Sequence, residues 1–246
     1  MVIEKGWSLD ACYGYAKTHR LFADSEMICV KTLYNYVDSM LLALRNIDIP
    51  LKVRRRKRRC NVKENLKHLG RSIDERPDEI ASRNEFGHWE KDTVIGSKSK
   101  SDKAVSTIVE RLTRKYIALK IEGKTASAVS AAMQSLQKYY GDKFSQIFKT
   151  ITSDNGSEFA ELAELENNTT TKVYFAHPYS SWERGSNERH NSLLRRLIPK
   201  GKRIDKYTSE DILFTADWCN LLPRKILGYK TPDDLFENEL DKIYAA

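Results

Sequence analysis

Between residues 86 and about 178 the sequence alternates short β-forming runs with helix-forming ones, an order that few architectures satisfy. Residues 89–95, 104–111 and 116–121 read as three consecutive strands of the antiparallel type. Thr125 stands as the N-cap of an alanine-rich helix over 126–140, with apolar positions at the helical period. A short buried strand over 148–152 ends beside Asp154, a helix follows over 158–166, and 172–176 forms the last strand. Pro178 closes that strand, because proline has no N–H to give to a ladder. The expected fold is therefore α/β, a mixed five-stranded sheet with helices on both faces. Two further helices follow: 188–197, with Leu193, Leu194 and Leu197 on one face, and 209–222, with Ile212, Leu213, Ala216 and Trp218.

Ahead of this region lies a small helical segment, residues 1–50. Ser8 caps a helix over 7–16, and a second over 30–42 carries Leu33, Val37, Met40 and Leu41 at helical spacing. Two short helices with a polar connection suit either a helix-turn-helix that reads a major groove or a plain helical pair. In the run 52–59 seven of eight residues are cationic: Lys52, Arg54, Arg55, Arg56, Lys57, Arg58 and Arg59. Self-repulsion extends such a linker, here 51–85, until it meets a polyanion. Each DNA phosphate it neutralises adds about −0.9 to the log–log salt slope. The expected organisation is thus a DNA-binding segment at 1–50, a basic linker, a catalytic core at 86–200 and a helical extension of that core at 201–246.

A formal charge of +8 and 40% apolar content, in 246 residues, agree with a real core and with a polyanionic partner. The four cysteines, Cys12, Cys29, Cys60 and Cys219, make no CxxC pair, so neither a zinc site nor a disulfide framework is expected. No apolar run approaches the roughly 20 residues of a membrane span. A cytoplasmic protein with no membrane partner is the expectation.

Three carboxylates carry the chemistry. Asp92 lies inside the partly apolar strand 89–95, where an unpaired charge is costly unless it is hydrogen-bonded or metal-bound. Asp154 stands at a strand end before Asn155 and Gly156, and Glu188 follows it with 33 residues between. Taken singly, Asp-Asn-Gly is ordinary turn chemistry and a helical glutamate is ordinary surface. Converging at strand and helix ends, the three make a site for two hard divalent cations, which at about 3.5–4 Å apart serve phosphodiester chemistry. Glu90, two residues from Asp92 and on the same sheet face, is its nearest rival, with Glu158 and Glu183 as bystanders that tune the charge. Around Glu188 cluster Arg184, Asn191, Arg195 and Lys200, suited to holding a phosphate backbone or to forming a solvated basic helix. His177 and His190 offer proton carriers, though isolated histidines more often serve structure. Tyr179 and Trp182 offer stacking surfaces or simple loop packing.

These blocks resemble transposases of the insertion sequence thirty (IS30) family, within the retroviral-integrase superfamily of RNase H-like fold. The resemblance rests on Gly87-His-Trp-Glu-Lys-Asp-Thr-Val-Ile-Gly96, Thr152-Ser-Asp-Asn-Gly-Ser-Glu-Phe159 and the segment from His177 through Trp182-Glu-Arg-Gly-Ser-Asn-Glu-Arg-His-Asn191. It continues through Leu193-Leu-Arg-Arg, Pro199-Lys-Gly and the run Asn220 to Pro232, so it covers about 86 to 240. It implies that Asp92, Asp154 and Glu188 are a DDE triad binding two magnesium or manganese ions, with Asp92 preferred to Glu90 and Glu188 to Glu183. It also implies hydrolysis at the ends of a mobile element, then attack of the exposed 3′-hydroxyl on target DNA. The partners implied are double-stranded DNA, both terminal inverted repeats and target, and a second copy of the chain for synapsis.

Gly6-Trp-Ser and Thr32-Leu-Tyr-Asn-Tyr-Val resemble the second helix-turn-helix region of such proteins. Relatives carry another DNA-binding segment ahead of this point, so the resemblance implies a shortened frame with impaired repeat recognition. Two other readings compete: a DNA-binding relative without chemistry, acting as a repressor, and an RNase H-like nuclease acting on other nucleic acids.

Overall fold

A computed structural model describes residues 1–49, 69–97, 99, 101–178 and 180–245, without the side chains of Ser181 and Trp182. The chain forms two compact units that do not follow chain order. One joins Met1–Val62 with Leu221–Asp234, and the other joins Lys63–Asn220 with Leu235–Ala246.

In the first unit α1 (Val2–Lys5) leads into α2 (Leu9–Thr18), followed by α3 (Val30–Asp38). Ser8 Oγ accepts the Ala11 N–H at 3.1 Å, the cap expected from sequence. Leu9, Val37 and Ile49 are buried together, with Leu33 and Tyr34 packed against them. Gly14 lies flat on the Tyr229 ring, where a Cβ would come within 1.8 Å of a ring carbon. The second helix ends at Asp38 and does not run to 42. Met40 turns to φ 56°, its N–H donates to the Val37 carbonyl, and Leu41 N–H donates to the Tyr36 carbonyl. That pair of bonds is a Schellman stop. Met40 and Leu41, expected on the apolar face, consequently stand exposed.

The second unit holds β1 (His88–Ile95), β2 (Ala104–Glu110), β3 (Tyr116–Ile121), α4 (Ala126–Tyr140), α5 (Phe144–Ile147), β4 (Thr150–Ser153), α6 (Leu165–Asn168), β5 (Lys172–Phe175), α7 (Gly185–Leu197), α8 (Ser209–Asn220) and α9 (Pro232–Ala245). The strands form one mixed sheet in the order β3-β2-β1-β4-β5. β1, β2 and β3 are antiparallel neighbours, whereas β4 runs parallel to β1 and β5 parallel to β4. With helices on both faces this is the RNase H-like arrangement.

Alternation along β1 sorts the two faces. Trp89 stacks on Phe148 at 4.5 Å and meets Phe236 edge-on at 5.9 Å, within the core that also takes Val129, Met133, Ile147 and Ile151. Glu90 and Asp92 point the other way, to α7. Where one helix was expected over 158–166, the chain makes two 3₁₀ turns, Ser157–Phe159 and Leu162–Glu164, before α6. Phe159, Leu162 and Leu165 recur every third residue, which brings them to one side of a three-residue turn. α7 starts at Gly185, so Glu188 lies inside its first turn. Among the described residues no helix is long and apolar enough to cross a membrane.

Candidate active site

The parallel register of β1 with β4 places the first two acidic residues. Pairing runs His88↔Thr150, Trp89↔Ile151, Glu90↔Thr152, and Asp92 and Asp154 each follow two residues beyond the last of these pairs. Asp154 leaves the end of β4 into a tight loop, its Oδ1 accepting the Gly156 N–H at 3.0 Å. Its other oxygen accepts from Arg184 Nη2 at 3.0 Å, and Arg184 Nη1 lies 3.5 Å from Asp92 Oδ1. One guanidinium therefore bridges the two carboxylates. Arg184 also donates to the Lys91 carbonyl at 3.2 Å, which pins it across β1.

Asp92 is further held by the Thr93 N–H at 2.9 Å and by Asn191 Nδ2 at 2.8 Å, and Tyr116 Oη donates to Asn191 Oδ1 at 3.0 Å. Burial pushes the Asp92 carboxyl above the usual range; Arg184 opposes this and Asp154 adds to it. Glu188 sits on the exposed side of α7, one helical turn before Asn191. Among the described residues no set of three Asp, Glu, His or Cys is already gathered at one metal position.

The rival acidic residues are occupied elsewhere. Glu90 is fully buried, with Arg111 Nη1 at 3.1 Å and the Asn187 N–H at 2.9 Å on its carboxylate. Asn187 returns a bond to the Glu90 carbonyl at 2.7 Å, and Thr107 Oγ1 donates to Asn187 at 3.2 Å. The start of α7 is thereby fastened to β1 and β2. Glu183 instead takes both the backbone N–H and Nδ1 of His177, each at 2.8 Å. Neither Asn187 nor Arg111 stands out in the sequence; the signal is Glu90 itself, a carboxylate on an inward face that demands a buried cation.

Of the cationic residues around Glu188, Arg184 is turned to the carboxylates, and Arg195 Nη2 donates to the Ile95 carbonyl at 2.5 Å. Asn191 holds Asp92, whereas Lys200 is exposed. Arg54, Arg55, Arg56, Lys57, Arg58 and Arg59 lie outside the described residues, as does Tyr179. His190 is buried, its Nδ1 2.6 Å from the Ser186 carbonyl and its ring stacked on Tyr116 at 5.4 Å.

The Integrase core domain family matches residues 82–181, a span that holds Asp92 and Asp154 and stops before α7. A Streptococcus salivarius protein named "Probable transposase for insertion-like sequence element IS1161" is 41% identical over 91% of this chain and 63% of its own length. The transposase for IS4351 of Bacteroides fragilis is 38% identical over 76% of this chain and 58% of its own length. The InsI transposase of IS30C from Escherichia coli K12 is 37% identical over 68% of this chain and 42% of its own length. The chain is similar to transposases of IS30-type insertion elements. It spans about two fifths to just under two thirds of the length of these three relatives. The catalytic core domain of BIV integrase superposes with a TM-score of 0.49 at 19% identity, covering 65% of this chain and 99% of that one.

The donor chemistry at the site fits the divalent cations that the family resemblance implies. Two hard carboxylate oxygens already share one cationic group, the Arg184 guanidinium, and the helix whose Asn191 holds Asp92 carries a further carboxylate, Glu188.

Proposed function

We propose that this chain is the catalytic part of a DDE transposase that cuts and joins DNA strands, using Asp92, Asp154 and Glu188 to hold two magnesium or manganese ions. The observation that carries the reading is the convergence of Asp92 and Asp154 on Arg184, from two parallel strands, beside the helix that bears Glu188. Bound divalent cations would supply activation of the attacking oxygen and stabilisation of the leaving one. The chain's own residues do the rest. Asn191 and the Thr93 N–H fix the Asp92 carboxylate, while Glu90 and Asn187 fix α7. Arg184 and the exposed Lys200 supply positive charge for the phosphate backbone of element ends and target. The basic run 54–59 adds a second, sequence-independent hold on duplex DNA. Joining two element ends to a target requires at least two copies of the chain in the reacting assembly.

The test is strand transfer with labelled element-end DNA, a target plasmid and magnesium or manganese, beside Asp92→Ala, Asp154→Ala and Glu188→Ala. Joined products that need both metal and all three carboxylates support the reading. Cut ends without joining point to a nuclease, and binding without either product points to a repressor-like relative.

A further inference from the structure

Glu158 lies in the 3₁₀ turn that follows the Asp154 loop, with its side chain only 3% exposed. Its Oε1 meets Lys124 Nζ at 3.0 Å, just ahead of α4. Its Oε2 is buried and has no hydrogen-bond partner among the described residues. Gly156 shows where that oxygen points: a Cβ placed there would stand 2.5 Å from Glu158 Oε2 and 2.9 Å from Asp154 Oδ1. Both oxygens therefore border the same small space over Gly156. Asp154 uses its other oxygen for Arg184, so this space lies on the carboxylate's opposite side. A buried anionic oxygen without a partner is rare and needs a cation, a proton or a water.

We propose that Glu158 is a fourth carboxylate of the active site, and that its Oε2 and Asp154 Oδ1 together ligate one divalent magnesium or manganese ion. The nearest donors at the space are two hard carboxylate oxygens, which suit such a cation and disfavour softer metals. Lys124 neutralises the oxygen that points away, so the ligand is held without being quenched. This assignment rests on the two-metal reading above and adds a residue to it.

The test is titration of the full chain with Mn²⁺ alone, read by calorimetry and by the paramagnetic resonance of free Mn²⁺. Glu158→Gln keeps the shape of the side chain and removes its charge. Loss of partners that merely orient a metal ligand weakens binding about 10–100-fold, so losing a ligand should weaken it at least roughly tenfold. Lys124→Gln should leave Mn²⁺ affinity within about twofold of the parent, because it removes only the tie to α4. Glu158→Gln binding Mn²⁺ as the parent does would overturn the proposal. Lys124→Gln reproducing the full loss would overturn it too, showing that Glu158 acts only by holding the loop. Should Glu158→Gln fail to fold, Glu158→Asp keeps the charge and shortens the reach, and parent-like Mn²⁺ binding in it is equally fatal. Asp154→Asn separates the two readings. If the parent chain binds no Mn²⁺, or Asp154→Asn leaves binding unchanged, the two-metal reading falls and takes this one with it. Weakened binding in Asp154→Asn beside parent-like binding in Glu158→Gln removes Glu158 alone.

Discussion

The guanidinium of Arg184 stands 3.0 Å from the Asp154 carboxylate and reaches Asp92 with its other amino group, so it occupies the position of a shared counter-ion. A cation arriving between the same oxygens must displace it. Arg184→Ala should therefore bind Mn²⁺ more tightly than the parent chain, by about tenfold, since a competing interaction of about 1–2 kcal/mol is removed. Asp154 is 37% exposed, so solvent screening keeps the figure at the lower end. Without metal the variant should melt a few degrees lower, because two nearby carboxylates then repel each other unopposed. Calorimetric titration and thermal melts with and without Mn²⁺ check both signs. Equal or weaker Mn²⁺ binding in Arg184→Ala would show that the arginine does not compete with the metal.

Gly156 has an ordinary φ of −67°, so its lack of a side chain answers to space and not to backbone strain. The space is bounded by the Glu158 and Asp154 carboxylates. Gly156→Ala should push both aside, lowering Mn²⁺ affinity by tenfold or more while costing about 1–3 kcal/mol of stability. A melt combined with the same Mn²⁺ titration separates the effects. An alanine variant that binds metal normally would mean that the loop yields at no cost to the site.

Much of this architecture was legible from periodicity. Ala126–Tyr140 and Tyr116–Ile121 occur where the patterns put them, because an alanine-rich helix with a threonine cap and an alternating strand each carry their signal locally. The stop after Asp38 was not legible, since it depends on a left-handed Met40, a conformation that residue type does not favour. Nor was the joining of Leu221–Asp234 to the N-terminal helices, which rests on Gly14 receiving the Tyr229 ring from far along the chain. At the site, the common face of Glu90 and Asp92 followed from a two-residue period. Their different fates did not, because these depend on Arg111 and Asn187 meeting one and Asn191 and Arg184 the other. Long-range pairing of charges leaves no trace in local pattern.

Lys91 offers a pH test. It is 1% exposed on the Trp89 side of β1, with Ser106 Oγ as acceptor, and burial lowers its pKa to about 8. The unfolded chain keeps its proton up to about 10.4, so between these values it binds more protons than the folded one and stability rises with pH. At neutral pH the shift corresponds to a cost of roughly 3 kcal/mol. Lys91→Met should therefore be more stable than the parent by about 2–3 kcal/mol at pH 7, with the gain fading towards pH 10. Urea melts at several pH values measure it, and a gain that does not shrink with rising pH would refute the assigned cause.

Glu90 separates stability from function. Its ion pair with Arg111 is buried on both sides, and breaking one partner of such a pair costs about 3–5 kcal/mol, whereas replacing both by apolar groups is often neutral. Glu90→Leu alone should be strongly destabilised, and Glu90→Leu with Arg111→Met should recover most of the loss. The double variant still lacks the acceptor for the Asn187 N–H, which fastens the first turn of α7, the turn that bears Glu188, to β1. Strand transfer should consequently stay depressed by about tenfold to a hundredfold in the double variant, although its melting temperature has returned. Parent-level joining by the refolded double variant would show that α7 keeps its position without the Glu90 carboxylate, through its remaining ties from Asn187, Asn191 and Arg195.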